Sequence, residues 1–492
     1  MNKLENKAVD FDDVNSAEVF RNIGYQIIDV LAEELTKAKE NIGSPVLDWQ
    51  TPQEQLKFWQ DDFKGDKIED PLLLFRNIIK SSINMNMRGN LGHQIAAPHP
   101  ITALTSALIA HLNNGMGVYE VGMAGNAMEK IVIDDLSRIF GLPDDASGFV
   151  TSGGSLGNLT AILTAKIKYL RENPDVKMDQ LVVIVSEEAH FSIDRTASVI
   201  GLRKDNIFKV PVDADFRMRT DLLEDFHQLA DREDKKIFCI VGCSCSTSTG
   251  SFDDLADIAD FAHKYKIWFH VDAAHGGPSV FSTKYRHLLN GIHYADSIII
   301  DFHKMMGVPS LSTAVIFRHS WYSNLTFSQD AKYLWQDQKS EEWYNSGKRT
   351  FECTKPMSIV HIYTILRMYG YDIFKEQIEL LYGLAKNFAE DLNKRSDFEV
   401  LIEPQSNIVC FRFINAKGDL NILNRKIQQE LVRDGRFYIV GTTASGQYYL
   451  RVSLMNTRTT EADLLGLLNI IIEKASEIMQ NEGYFLCKPQ LI

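Results

Sequence analysis

Apolar residues fall into three regimes along this chain, and each regime predicts a different kind of element. In residues 1–85 they recur at three- and four-residue spacing, with Phe20, Ile23, Ile27, Ile28, Val30 and Leu31 forming one stripe among charged neighbours. That period is helical, and such a stripe needs another surface to cover it. From 86 to 370 the pattern changes to short apolar runs separated by helical stretches: LVVIVS at 181–186, KIFCIVGCS at 236–244, IWFHVDAA at 267–274, SIIIDF at 297–302 and STAVIFR at 312–318. Buried strands spaced by amphipathic helices predict a mainly parallel α/β sheet. From 371 onward helices return, NIVCFRFI and YYLRVSL read as strands, and the stretch ADLLGLLNIIIEKASEIM reads as a closing helix. The expected organisation is an N-terminal helical segment (1–85), a large α/β domain (86–370) and a small C-terminal α+β domain (371–492).

Composition removes several classes of function. The 492 residues are 45% apolar and 24% charged, which is ordinary for a globular protein and unlike disordered, collagen-like or coiled-coil chains. Lys and Arg total 52 against 65 Asp and Glu, a net charge of -13 that opposes attraction to nucleic acid or anionic lipid, so neither is an expected partner. The start, MNKLENKAVDFDDVNSAEVF, is polar and acidic, where an export signal would need a basic start and an apolar run of roughly 7–15 residues. No apolar run approaches the roughly 20 residues of a membrane span. Six cysteines in so long a chain suit a reducing compartment, and a cytoplasmic location is expected. The Cys243-Ser-Cys245 pair reads as small residues ending a buried strand.

In an open α/β sheet, ligands bind beyond the carboxyl ends of strands, and polar residues that end strands are therefore the candidates for chemistry. The run His270-Val271-Asp272-Ala273-Ala274-His275-Gly276-Gly277 ends a strand in an acid followed by small residues that admit a planar group. A lone acid there also serves as a turn or helix cap. The run Asp301-Phe302-His303-Lys304-Met305-Met306-Gly307 places a lysine among apolar neighbours, where an amine can become a nucleophile. A third stretch, Thr151-Ser152-Gly153-Gly154-Ser155-Leu156-Gly157-Asn158, opens a helix with small residues, whose free N–H groups and dipole suit a phosphate. It has neither a Walker A ending nor dinucleotide-binding spacing. A phosphate cradle, an acid and a lysine together match what pyridoxal phosphate needs: a held phosphate, a partner for the ring nitrogen and a Schiff-base amine. His270, Asp272 and His275 are metal-ligating residue types, but strand alternation sends only 270 and 272 to one face, no third donor is assured, and no metal is expected.

Here the sequence resembles the group II pyridoxal-phosphate-dependent amino acid decarboxylases, over roughly residues 85 to 460 and most specifically in HVDAAHGG and DFHKMMGVPSLSTA. The resemblance implies the fold type I architecture of the pyridoxal-phosphate-dependent transferases and a homodimer wrapped by the N-terminal helices. It implies pyridoxal 5′-phosphate as cofactor and release of CO2 from an L-amino acid. Carried over residue by residue, it makes Lys304 the Schiff-base lysine, Asp272 the partner of the pyridine nitrogen and His190 the histidine stacked on the ring. Ala274 lies against the ring and His303 near the phosphate, while Gly154 and Ser155 hold the phosphate, with Asn158 at an equivalent position and Thr247 retaining a hydroxyl. Tyr333, in Ala331-Lys332-Tyr333-Leu334, becomes the proton donor on a mobile loop, and Arg451 binds the substrate carboxylate.

The chain departs from the pattern where many members carry a His-Pro-aromatic stretch beside the substrate side chain. Here the segment reads Gly92-His93-Gln94-Ile95-Ala96-Ala97-Pro98-His99-Pro100, with His93 the candidate substrate contact. The His-Lys-Met-Met run leans toward glutamate, aspartate or cysteine sulfinate as substrate. Aromatic amino acids and 2,4-diaminobutyrate remain alternatives, as do an aminotransferase or aldehyde-forming reaction and a non-catalytic cofactor-binding dimer on the same fold.

Overall fold

Seven strands form the central sheet of the computed structural model, which describes residues 11–40, 45–65, 67–68, 70–327 and 342–482. They are β1 (Ser147–Thr151), β2 (Leu181–Ser186), β3 (Ile207–Val210), β4 (Lys236–Cys243), β5 (Trp268–Asp272), β6 (Ser297–Asp301) and β7 (Thr313–Phe317), in the order β1-β7-β6-β5-β4-β2-β3. Strands β6, β5, β4, β2 and β3 pair in parallel, whereas β7 runs antiparallel to both β6 and β1. Two reversals restore direction, so β1 points the same way as β6 and its carboxyl end reaches the same edge of the sheet.

The apolar runs are continuous because both faces are covered. Along β2, Val183 and Val185 join Ile299, Ile162 and Ala165 in one cluster beneath the helix Gly154–Glu172. Their alternates Val182 and Ile184 join Ile240, Ile298 and Ile300 with Leu255 and Ile258 of the helix Leu255–Tyr265 on the other face. Gly157 lets the first helix approach closely: a Cβ there would stand 3.0 Å from Ile299 Cγ2.

A second, antiparallel sheet contains β8 (Phe398–Val400), β9 (Ile408–Phe413), β10 (Val440–Ala444) and β11 (Gln447–Ser453) in the order β10-β11-β9-β8. Its Val409, Phe411, Leu450 and Val452 pack on Leu467 and Ile471 of the closing helix Glu461–Glu482. Met305, next to Lys304, is buried in this same cluster, which ties the lysine loop to the C-terminal sheet. The helix Ala17–Glu40 carries the expected N-terminal stripe, of which Val30 is buried, while Phe20, Ile28 and Leu31 are 68%, 47% and 41% exposed in the single chain. No helix among the described residues is long and apolar enough to cross a membrane.

Candidate active site

Because β1, β4, β5 and β6 share a direction, Thr151, Cys243, Asp272 and Asp301 all end at one edge of the sheet. A cavity of about 270 Å³ opens there, and Gly154, Ser155, His190, Asp272, His303 and Lys304 all line it. Thr247, Ala274, Asn158 and His275 line it as well. The glycine-rich stretch and the acid and lysine stretches, which begin more than a hundred residues further along the chain, therefore meet in one place.

One end of the cavity suits an anion. Gly153 precedes the helix Gly154–Glu172 with φ of +99°, a conformation open to glycine, and no side chain caps the helix start. Its first N–H groups and the positive end of its dipole are left for a ligand. Lys304 and His303 stand nearby around Asp301. Lys304 Nζ is 3.2 Å from Asp301 Oδ2, His303 Nε2 is 3.6 Å from the same oxygen, and the Thr313 hydroxyl donates to Oδ1. Asp301 received no role from the sequence reading; the available signal was an acid ending an apolar strand just before the His-Lys pair.

Asp272, also in the lining, is buried and accepts two hydrogen bonds, from Asn158 Nδ2 at 2.8 Å and from the Ala274 backbone N–H at 3.2 Å. Asn158 lies one helical turn beyond the anion end and faces the carboxylate instead. Its Nδ2 also donates to Ser192 Oγ at 2.9 Å, and its Oδ1 lies 2.9 Å from His270 Nε2. His190 Nδ1 is 2.8 Å from Ser192 Oγ and accepts the Ser192 backbone N–H. Burial is the main cause holding the pKa of His190 below the usual histidine range.

The C-terminal sheet brings Arg451, on β11, against Thr247 of the lining, while neither Arg451 nor His93 is itself among the residues that line the cavity. Its Nη1 donates to the Thr247 carbonyl at 2.7 Å, its buried Nε has no partner, and no carboxylate pairs with it among the described residues. Burial without a counter-charge pulls its pKa down. His93 lies tilted against Tyr438, with ring centroids 5.8 Å apart, and partial burial aided by the field of Arg451 lowers its pKa. His275, which the sequence reading left without a role, bonds Asn407 Oδ1 at 2.7 Å through Nε2. Its pKa falls to about 3 because it is fully buried near Lys304 and Arg451. Tyr333 lies outside the described residues.

These residues fit a small group with a phosphate, a basic ring nitrogen and an aldehyde. The uncapped helix start matches the phosphate, buried Asp272 matches a ring nitrogen that carries a proton, and Lys304 supplies an amine between them.

Comparison with known proteins points to the same cofactor. Residues 58–414 match the family described as the pyridoxal-dependent decarboxylase conserved domain. An acidic amino acid decarboxylase, GADL1 of Xenopus tropicalis, is 30% identical over 413 residues, 82% of this chain and 79% of that one. An aromatic-L-amino-acid decarboxylase of Bacillus atrophaeus is 27% identical over 468 residues, 94% of this chain and 97% of that one. The fold matches the crystal structure of mouse CSAD with a TM-score of 0.85 at 24% identity, covering 94% of this chain and 99% of that chain.

Proposed function

Because the chain belongs to the pyridoxal-dependent decarboxylase family, we propose that its cavity converts an acidic L-amino acid, glutamate, aspartate or cysteine sulfinate, to the corresponding amine and CO2. The chain is a carboxy-lyase that depends on pyridoxal 5′-phosphate, as its family membership establishes. The acidic preference rests on the His303-Lys304-Met305-Met306 run, whereas Arg451, a buried guanidinium with a free Nε and no carboxylate partner among the described residues, has charge available for the α-carboxylate that every amino acid substrate carries. The 30% identical relative named for acidic amino acids supports the same reading.

The cofactor, when bound, supplies a sink for the electron pair left at Cα as CO2 departs. The other tasks fall to the chain. Lys304 would hold the aldehyde, Gly154, Ser155 and His303 would hold the phosphate, and Thr247 would offer its hydroxyl to the cofactor. Asp272 holds a proton on the ring nitrogen through its negative charge, since an adjacent carboxylate favours the charged form of a base. Ala274 and His190 bound the ring. Arg451 binds a substrate carboxylate, with His93 at the side-chain end, and Tyr333 returns a proton to Cα.

Carbon dioxide release separates the substrate classes. The acidic amino acids are expected to exceed tryptophan, tyrosine and 2,4-diaminobutyrate by at least about tenfold in kcat/KM, the value of roughly one charge-assisted hydrogen bond. Arg451→Gln should raise KM for the best acidic substrate by about tenfold or more. Faster turnover of an aromatic or diamino substrate would remove the acidic preference and leave the decarboxylase activity standing. The aromatic reading has its own support in the Bacillus relative that aligns over 94% of this chain.

We further propose that the three segments assigned from sequence act as an N-terminal dimerisation segment, a cofactor-binding domain and a small C-terminal domain of a cytoplasmic homodimer. The exposed Phe20, Ile28 and Leu31 supply the apolar face for the second copy. Sedimentation should give a particle of two chains; a stable, active single chain would overturn this assembly.

A further inference from the structure

Behind the cavity wall, five side chains from three elements, Trp268, His270 and Asp272 on β5, Ser297 on β6 and Asn158 on the helix Gly154–Glu172, form a continuous hydrogen-bonded line. Trp268 Nε1 donates to Ser297 Oγ at 2.9 Å, and Ser297 Oγ lies 2.9 Å from His270 Nδ1. His270 Nε2 lies 2.9 Å from Asn158 Oδ1, and Asn158 Nδ2 donates to Asp272 Oδ2 at 2.8 Å. Trp268, Ser297, His270, Asn158 and Asp272 are all buried.

The two ends of this line are chemically one-way. An indole N–H only donates, and an ionised carboxylate only accepts. Asn158 must therefore turn its NH2 toward Asp272 and its carbonyl toward His270, which requires a proton on His270 Nε2. Burial holds His270 in its neutral form, so Nδ1 is then bare and accepts the Ser297 hydroxyl proton. Reversal would bring a proton on Nδ1 to the Ser297 backbone carbonyl, 3.2 Å away, but would set the Asn158 carbonyl against the Asp272 carboxylate and leave the Ser297 hydroxyl proton without a hydrogen-bond acceptor among the described residues.

The line also branches. The second N–H of the Asn158 amide goes to Ser192 Oγ, which directs the Ser192 proton to His190 Nδ1, where the Ser192 backbone N–H also points. Neutral His190 consequently carries its proton on Nε2.

We propose that Trp268, Ser297, His270 and Asn158 are positioning residues of one directional hydrogen-bond chain, which holds Asp272 as an acceptor-only carboxylate and His190 as the Nε2–H tautomer at the same time. The inference rests on the cofactor reading above for its catalytic meaning, while the proton positions are a property of the chain itself. Asn158 is the branch point, and His270 sets its orientation. A rotated Asn158 amide would disturb both residues assigned to the cofactor ring in a single step.

Neutron diffraction from deuterium-exchanged crystals of the holoenzyme reads the proton positions. Deuterium is expected on Nε2 of both His190 and His270, and deuterium on Nδ1 of either overturns the proposal. A pair of variants reads the consequence. His270→Gln retains a donor toward Asn158 and an acceptor toward Ser297, whereas His270→Leu retains neither. The ¹⁵N resonance of the labelled cofactor ring nitrogen should shift toward the unprotonated form in the Leu variant relative to the Gln variant. The kcat of the Leu variant should be about tenfold the lower, with similar KM, as expected when a transition-state interaction alone is weakened. Identical resonances and rates in the two variants would overturn the proposal. If the Leu variant does not fold, Ser297→Ala, which removes the hydroxyl that selects the tautomer, is read in its place against wild type, with the same direction of shift expected and an unchanged resonance counting against the chain. Failure of the protein to take up cofactor would instead overturn the functional reading, and neutron maps of the cofactor-free crystals would still decide the tautomers.

Discussion

Replacing Lys304 by alanine is expected to lower decarboxylation by at least about a thousandfold, because among the described residues no other amine lines the cavity to hold the aldehyde as a covalent partner. The loss should be chemical and not structural. Lys304 neutralises Asp301 at 3.2 Å, and its removal leaves that buried carboxylate to the Thr313 hydroxyl and to His303, 3.6 Å away. A buried acid stripped of every partner would cost about 3–5 kcal/mol, but two of its three partners survive here. The measurement pairs a turnover assay with the visible absorption of the protein after gel filtration in the presence of cofactor. Wild type should retain a bound chromophore and the variant should lose its borohydride-reducible linkage. A Lys304→Ala protein with wild-type turnover would end the assignment of this lysine.

Asp272→Asn is expected to separate charge from shape. The amide has nearly the same volume, and its oxygen still accepts the Asn158 N–H, so the buried site keeps its packing and one of its hydrogen bonds. What disappears is the negative charge beside the ring nitrogen. Each pKa unit by which that nitrogen falls costs about 1.4 kcal/mol of preference for its protonated form, and two or three units correspond to about a hundredfold to a thousandfold in rate if the protonated ring is required. The expected result is a folded, cofactor-loaded protein with kcat reduced by that factor and KM changed little. Retention of full kcat would show that the charge of Asp272 is not needed.

The sequence signalled the sheet most clearly where strands are buried on both faces. LVVIVS and SIIIDF are uninterrupted apolar runs, and both are strands of the central sheet. Strands β1 and β3 escaped that reading because SGFVT and IFKV are short and mixed in polarity; β1 takes its place from antiparallel pairing with β7, a contact between residues far apart in the chain. The antiparallel direction of β7 was likewise invisible to periodicity, since a buried strand has the same pattern in either direction. At the site, Asp272 and Lys304 stood out because each follows an apolar strand, whereas His190 and Arg451 acquired roles only through resemblance. Asn158 looked like part of a glycine-rich loop, and only the helix geometry turns it from the anion end to the carboxylate. Trp268 and Ser297 carried no local signal, because their significance lies in bonds that cross between strands.

The N-terminal helix adds a consequence of mass action. In the homodimer proposed above, a face that leaves Phe20 68% exposed in one chain would gain its stability by association, so its contribution to folding would grow with protein concentration. Dilution would then act as a denaturant without touching a single residue of the cavity, and substitutions along that stripe would shorten the working lifetime of the enzyme while leaving its chemistry per intact particle the same.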